Sequence, residues 1–285
     1  MTIATEALRV GPRGQEGRLS IHAALIGDRT RLLSLRCQAP LQVLRAAYTE
    51  PLVPGLASVT ICSPSGGVLQ GDHLSIDVAL EAGAKLRLET QSATRLYAMP
   101  DSSASADVSL KLGPDAFLEY VPDPLIPYAG ARFRQTSTWV VHESATLIVG
   151  EVITAGREAR GEKAMYQRVD SSVELQRPGG DFVFADACIL APGEACKLGF
   201  LGDFTVVGSL YVVSTTFDAA SFAGLAGHPA VMHSHAGWSD LPNRAGAWFK
   251  VLAQDSSTAI GAVRAAWESA RRQILGFGLP PTRRF

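Results

Sequence analysis

The chain has 285 residues, and its 26 lysines and arginines nearly balance 27 aspartates and glutamates, for a net charge of −1. This balance removes the electrostatic case for a nucleic-acid binder or a basic membrane-surface protein. Charged residues make up only 19% of the chain, against a usual share of about 25%, and the mean hydropathy is +0.13. We therefore expect an extensive apolar surface that is buried in a core or against a partner.

From the first residues, the longest uncharged apolar stretch and the cysteines, we expect a cytoplasmic protein without membrane spans. Residues 1–9 lack the basic segment and apolar run of a secretory signal. The uncharged stretch 204–217 is too short to cross a bilayer, and its Val, Thr, Tyr and Phe content predicts a buried strand. No Cys-x-x-Cys pair occurs among Cys37, Cys62, Cys188 and Cys196, which favours a reduced chain.

Apolar residues alternate with polar or small ones along much of the chain. Leu19, Ile21, Ala23 and Leu25 follow this pattern, and the segment 74–80 repeats it. A period of two predicts strands with one buried face.

A strand, a four-residue turn and a second strand recur three times. The turns are 81–84, 113–116 and 142–145, and a fourth turn follows at 177–181. Hairpins at this spacing indicate either sheet layers stacked along an axis or an ordinary meander. The side chains repeat poorly, so both arrangements stay open at this point.

The C-terminal part has a helical pattern instead. Residues 255–257 offer N-cap side chains, and Gly276 offers a C-cap ahead of two prolines at 280 and 281. Between them, four apolar residues are spaced as one helix face: Ile260, Val263, Trp267 and Ile274. Residues 218–227 predict a shorter helix, and the whole chain 1–285 reads as one mostly β domain.

Familiar catalytic and phosphate-binding motifs are missing from the sequence. The glycines at 66 and 71 have the spacing of a phosphate loop, but Asp72 and His73 stand where Lys and Ser or Thr are required. A glycine-rich turn ahead of a strand is the better interpretation. No Gly-x-Ser-x-Gly or Gly-x-Gly-x-x-Gly sequence occurs.

Three histidines, His228, His233 and His235, form the one clustered set of imidazoles. On an extended segment, His233 and His235 would point to one face, as paired metal ligands require. No cysteine or carboxylate lies beside them, which favours a surface loop.

Polar residues concentrate in three segments of the centre of the chain. The first is Thr-Gln-Ser-Ala-Thr-Arg-Leu-Tyr at 90–97, and the second runs from Leu118 to Arg132 with three prolines that fix an extended path. The third joins Glu151 to the charged loop 156–162. Such a loop is either a solvated surface with weak ion pairs or a polar face of fixed geometry.

In this order, the segments closely resemble the urease accessory protein family UreD, also called UreH. The matching motifs are Gly-Gly-x-x-x-Gly-Asp at 66–72, Thr-Gln-x-x-Thr-Arg-x-Tyr at 90–97, Leu-Glu-Tyr-x-Pro at 118–122 with Gly-Ala-Arg at 130–132, and Gly-Arg-x-Ala-x-Gly-Glu at 156–162. The sequence departs from many members at Pro122-Asp-Pro124 and at Ala129, where one carboxylate is displaced and one is absent.

The resemblance implies a non-enzymatic scaffold. Such a protein would bind apo-urease together with UreF and the GTPase UreG and would assist nickel insertion into the urease metallocentre. It also implies stacked, roughly helical β-sheet layers with one or two C-terminal helices. No cofactor would be held permanently, and nickel would be handled in transit.

Nickel in transit needs ligands that release it, and oxygen donors do so more readily than thiolate clusters. We therefore expect carboxylates of a nickel path among Glu119, Asp123, Glu151, Glu158 and Glu162, with Thr90, Gln91 and Thr94 lining it. The competing interpretation is that these carboxylates pair with Arg95, Arg132, Arg157 and Arg160 to hold the sheet together.

For partner docking, the C-terminal region supplies aromatic and apolar residues, which are enriched at interface cores. The candidates are Trp267, Ile274 and Phe277, with Trp248, Phe249 and Phe285 nearby. Alternatively, the helix face simply covers the sheet.

Two other functions remain as alternatives to the accessory scaffold. The first is a small β-rich hydrolase that uses Glu119 and Asp123, and the second is a purely structural solenoid.

Overall fold

The computed structural model describes residues 14–43, 45–192 and 201–280, and these form two sheets that face each other. The first sheet has seven strands: β1 (Glu16–Ile26), β2 (Arg29–Gln38), β5 (His73–Leu80), β8 (Ala104–Leu112), β11 (Arg132–Val141), β13 (Arg168–Gln176) and β14 (Phe182–Leu190). The second has ten: β3 (Gln42–Val43), β4 (Ala57–Cys62), β6 (Lys85–Thr90), β7 (Thr94–Leu96), β9 (Phe117–Tyr120), β10 (Leu125–Pro127), β12 (Thr146–Ile153), β15 (Val206–Val213), β16 (His235–Asp240) and β17 (Gly246–Ala253).

The centre of each sheet is parallel, which makes the molecule a β-solenoid of about four turns. Strands β1, β5, β8, β11 and β13 pair in parallel in the seven-stranded sheet, and β4, β6, β9 and β12 do so in the ten-stranded sheet. Each coil therefore contributes one strand to each sheet. The stacked arrangement is confirmed, and the meander is not what forms.

The recurring turns do not close hairpins, and that part of the sequence interpretation was wrong. Turns 81–84, 113–116 and 142–145 each carry the chain from the seven-stranded to the ten-stranded sheet, so the two flanking strands face each other instead of pairing. The turns stack through backbone bonds such as Gly83 N–H to Pro114 O, 2.9 Å. The fourth turn, 177–181, is a true hairpin between antiparallel β13 and β14.

The predicted C-terminal helix runs over Ser256–Leu275 and lies on the outer face of the ten-stranded sheet. The Asp255 carboxylate caps it by accepting from Thr258 N–H at 2.9 Å, and Gly276 ends it with φ 77°. Val263 and Trp267 are buried as predicted, but Ile260 is exposed, because the buried face is lined mainly by alanines. These small side chains let the helix pack closely on the sheet: Ala259, Ala262, Ala266 and Ala270.

The other predicted segments also form. The stretch 204–217 contains β15, which is buried along its whole length. Residues Ala219–Gly227 are helical, as a 3₁₀ segment capped by Asp218. Short helical turns occur at Glu158–Arg160, Pro229–Met232 and Pro242–Arg244.

Three apolar clusters hold the molecule together. One fills the space between the sheets near the turns and includes Trp139, Phe184 and Tyr211. A second fills the opposite side of the same space, around Phe133 and Leu190. The third lies between the ten-stranded sheet and the C-terminal helix. A polar layer separates the first two clusters, and it surrounds a cavity.

Candidate functional site: a polar cavity between the sheets

The cavity has a volume of about 390 Å³ and runs between the two sheets, across several coils. It brings together five of the eight residues expected along a nickel path. These are Thr90, Gln91, Thr94, Asp123 and Glu151. Because strand side chains alternate between faces, only every second residue of a strand can reach this space.

Glu151 is the central carboxylate of the cavity. It lies on the inner face of β12, between Val149 and Ile153, each of which belongs to one of the two apolar clusters between the sheets. Its Oε1 accepts from Gln135 Nε2 at 2.7 Å and from Ser171 Oγ at 3.0 Å, and both donors belong to the opposite sheet. Burial raises the pKa of Glu151, against the effect of these two bonds. Both of these bonds end on Oε1 and not on Oε2.

Asp123 and Thr90 mark the end of the cavity nearest the early coils. The Asp123 N–H donates to Thr90 Oγ1 at 2.7 Å, and Thr90 Oγ1 donates to the Asp123 carboxylate at 3.3 Å. Burial raises the pKa of Asp123, and the Thr90 bond opposes that shift. Asp123 is exposed, so this end of the cavity communicates with solvent.

Asp186 and Lys250 mark the other end, and sequence reasoning missed both. Lys250 of β17 forms an ion pair with Asp186 of β14, and Tyr211 Oη donates to the same carboxylate. Although burial opposes it, the bonds from Lys250 and Tyr211 lower the pKa of Asp186. The signal was present in the sequence, since Lys250 is a charged residue in an otherwise apolar alternating strand.

Glu119 lies on the opposite face of the sheet from Glu151. It points toward the C-terminal helix, is 0% exposed, and accepts from Trp267 Nε1 at 3.0 Å and from Arg271. Arg271 also pairs with Glu50, which bonds Arg87 at 2.6 Å. We call these five residues, Glu50, Arg87, Glu119, Trp267 and Arg271, the helix-locking network.

The remaining two expected carboxylates lie away from the cavity. Glu158 accepts from Ser256 Oγ at 2.7 Å, beside the start of the C-terminal helix. Glu162 pairs with Arg157, whose bonds lower the pKa of Glu162, and it accepts weakly from Ala129 N–H. Among the arginine pairs that the sequence left open, Arg157–Glu162 forms.

The motifs that carry the family resemblance converge near the cavity. Tyr97 Oη donates to Gly66 O at 3.3 Å, and the Tyr97 ring meets the edge of Tyr128 with centroids 5.0 Å apart. The Arg157 guanidinium lies 4.2 Å from the centre of the Tyr128 ring. Asp72 closes the predicted glycine turn by accepting from Leu69 N–H at 2.8 Å. Residues far apart in sequence therefore build one surface.

The docking candidates differ in accessibility. Trp267 is buried in the helix-locking network, and Phe277 is 40% exposed. Ile274 is half-buried against the apolar cluster between the ten-stranded sheet and the C-terminal helix. Phe249 is fully buried and Trp248 is half-buried. Phe285 and Cys196 lie outside the described residues.

The three histidines do not form a common site. His228 Nδ1 accepts from Ala230 N–H, His233 bonds Pro229 O, and His235 packs against Phe204. Within residues 14–43, 45–192 and 201–280, no group of three or more His, Cys, Asp or Glu side chains is placed to hold a metal ion. In the same part of the chain, no helix is long and apolar enough to cross a membrane.

The fold and the site define a class of β-solenoid proteins with a helix packed on one sheet and a polar cavity between the sheets. The chain matches the sequence model of a family described as "UreD urease accessory protein" over residues 15–284. It is 35% identical to urease accessory protein UreD 2 of Brucella suis biovar 1 over 281 residues, which cover 96% of this chain and 93% of that protein. It is 37% identical to urease accessory protein UreD of Natronomonas pharaonis, covering 98% and 94%.

The chain therefore belongs to the UreD urease accessory protein family, and it serves as a scaffold in assembly of the urease nickel centre. Proteins of this family are non-catalytic, which excludes the alternative of a carboxylate-dependent hydrolase. The geometry agrees, because Glu119 and Asp123 lie in different environments: Glu119 is buried under the helix, whereas Asp123 is exposed at the cavity.

Proposed function

We propose that this chain passes nickel through the cavity between its sheets while bound to apo-urease, UreF and UreG. The observation that carries the proposal is the convergence of Thr90, Gln91, Thr94, Asp123 and Glu151 on one cavity. The choice of partners is supported by the membership of the chain in a family of urease accessory proteins.

The chemistry of the lining suits transit. A divalent nickel ion is held tightly by clusters of thiolates and imidazoles and more weakly by isolated oxygen donors. The cavity offers separated carboxylates, hydroxyls and an amide, with Oε2 of Glu151 as the central donor. Water would complete the coordination at each step. The cargo would thus bind weakly at successive positions and leave again.

The nickel path is confined to residues that line the cavity. Glu119 is not part of it, because its carboxylate bonds Arg271 under the helix, and Glu158 and Glu162 lie outside the cavity. A path through the cavity predicts that Glu162→Gln supports near-normal urease activation at normal protein level.

Reconstitution tests the function directly. Apo-urease, UreF, UreG, GTP and nickel are combined with and without this chain, and urease activity is measured. We expect at least a tenfold rise in active urease when the chain is present. Equal activation without the chain would contradict the proposal.

Docking of UreF is predicted at the end of the C-terminal helix. Phe277→Ser should weaken retention of UreF in a pull-down by about tenfold. This corresponds to about 1.4 kcal/mol, a cost expected of a residue at the centre of an interface. Ile260→Ser is the matched control, because Ile260 is 39% exposed and Phe277 is 40% exposed on the same C-terminal segment. Equal loss in both variants would argue against this site.

Solubility provides a second test of the complex with UreF, because the chain is rich in apolar residues and poor in charged ones. Expressed alone, the chain should be poorly soluble, and co-expression with UreF should increase the soluble fraction. High solubility alone with no gain from UreF would show that the apolar residues serve the core.

A further inference from the structure

A row of side chains crosses the cavity floor toward the late strands. Glu151 on β12 pairs with Ser209 on β15, and Ser209 pairs with Lys250 on β17. Lys250 in turn pairs with Gly237 on β16. Strands lie about 4.8 Å apart, so Lys250 is roughly 10 Å from Glu151. The row therefore leads from the central carboxylate to an ammonium group and ends on a glycine.

Among the residues that the structure describes, Lys250 and Asp186 are the charged side chains at the far end of this row. A Cβ built on Gly237 would meet no atom within 4 Å, and β14, which carries Asp186, is an edge strand of its sheet within the described residues. The Lys250 and Asp186 side chains are 34% and 28% exposed. The ion pair thus reaches solvent on one side and the cavity on the other.

The pair also ties the two sheets together at this end. Lys250 belongs to the ten-stranded sheet and Asp186 to the seven-stranded sheet. Tyr211 donates to Asp186 from the ten-stranded sheet, so this carboxylate keeps a bond across the sheets that does not depend on Lys250. The Lys250 ammonium that pairs with Asp186 also lies 5.7 Å from the centre of the Trp248 ring.

We infer that Lys250 and Asp186 form a gate that closes the far end of the cavity to cations. The inference rests on the proposed function for the identity of its cargo, a divalent cation. Such a cation, arriving from Glu151, takes the place of the ammonium on Asp186, and the Lys250 side chain, which is partly exposed, turns into solvent. A partly exposed ion pair contributes only about 0–1 kcal/mol, so a doubly charged ion can displace it.

Cys188 provides a reporter for the gate, since it lines the cavity close to Asp186. The full chain, in complex with UreF if needed for solubility, is treated with a positively charged methanethiosulfonate reagent. Labelling of Cys188 is followed by peptide mass spectrometry. Lys250→Met should increase the labelling rate at least fivefold. Arg168→Met is the matched control, because it removes another exposed ion pair, with Asp170, that does not line the cavity.

The test is strict because the effect of Lys250 on the pKa of Cys188 opposes the expected change in labelling rate. Burial raises the pKa of Cys188 to about 11, and the positive charge of Lys250 opposes that shift. Removing Lys250 alone would therefore reduce the reactive thiolate and slow labelling. A faster reaction reports wider access, and an unchanged or slower reaction overturns the gate. Lys250→Gln removes the same positive charge and should accelerate labelling as well, which covers the case in which Lys250→Met fails to fold.

The labelling assay contains neither nickel nor urease, so it separates the gate from its cargo. Accelerated labelling together with normal urease activation by Glu151→Gln would leave a gate for other cations and would remove the nickel path. Unchanged labelling with lost activation by Glu151→Gln would keep the path and overturn the gate.

Discussion

Replacing Arg271 with methionine should lower the free energy of unfolding by about 3–5 kcal/mol. Arg271 is 0% exposed and bonds both Glu119 and Glu50. Without it, the buried Glu119 carboxylate loses its bonded counter-charge and must either stay charged in a poor solvent or bind a proton, whereas Glu50 keeps only Arg87. Methionine keeps much of the side-chain volume, so loss of the pairing dominates the effect.

Urea unfolding followed by circular dichroism measures this change. Arg272→Met is the matched control on the same helix, because Arg272 pairs with Glu268 at an exposed position. We expect the control to change the free energy of unfolding by less than about 0.5 kcal/mol. A loss below 1 kcal/mol for Arg271→Met would show that the helix is held by its apolar face alone.

Glu151→Gln should reduce urease activation at least tenfold while making the chain more stable at neutral pH. Gln keeps an oxygen at Oε1 for Gln135 and Ser171 and replaces only Oε2 with an amide. A neutral amide costs less to bury than a charged carboxylate. We therefore expect the free energy of unfolding to rise by on the order of 1 kcal/mol, as is common when a functional residue is replaced. Activation is measured by reconstitution and stability by urea unfolding.

The pH dependence of this gain has a definite sign. Burial raises the pKa of Glu151 in the folded state, so the folded chain binds a proton more tightly than the unfolded chain does. The wild type is thus relatively more stable below the ordinary glutamate pKa and loses that stability as pH rises through the raised pKa. The advantage of Glu151→Gln should therefore shrink as pH falls through this window. An advantage that grows at low pH would contradict a buried charge at Glu151.

Much of the fold was predictable from local patterns. Alternation located the strands, and Asp255 and Gly276 located the ends of the C-terminal helix. The pairing partners were not predictable, because a strand–turn–strand segment has the same local sequence whether its strands pair or face each other. The exposed position of Ile260 also escaped prediction, since apolar spacing favoured it while the alanines that pack on the sheet gave no strong hydrophobic signal.

The lining of the candidate cavity was predictable in part. The motif at 90–97 and the carboxylates Asp123 and Glu151 were expected to act together, and they line one cavity. Glu119 differs because a one-residue step along a strand moves a side chain to the other face, and short β9 offered no clear alternation. Gln135, Ser171 and Asp186 come from other coils, and only the stacking of the solenoid brings them near Glu151 and Lys250.

The helix-locking network also sets an order of events during synthesis. Arg271 meets Glu50 across 221 residues and Glu119 across 152. At about 5–20 residues per second, roughly 10–40 s pass between the emergence of Glu50 and of Arg271 from the ribosome. Throughout that interval Glu50 and Glu119 wait for Arg271, and the apolar residues of the outer face that have already been synthesised are open to any surface that reaches them first. A partner or chaperone present during translation would therefore influence the yield more than one added to the finished chain.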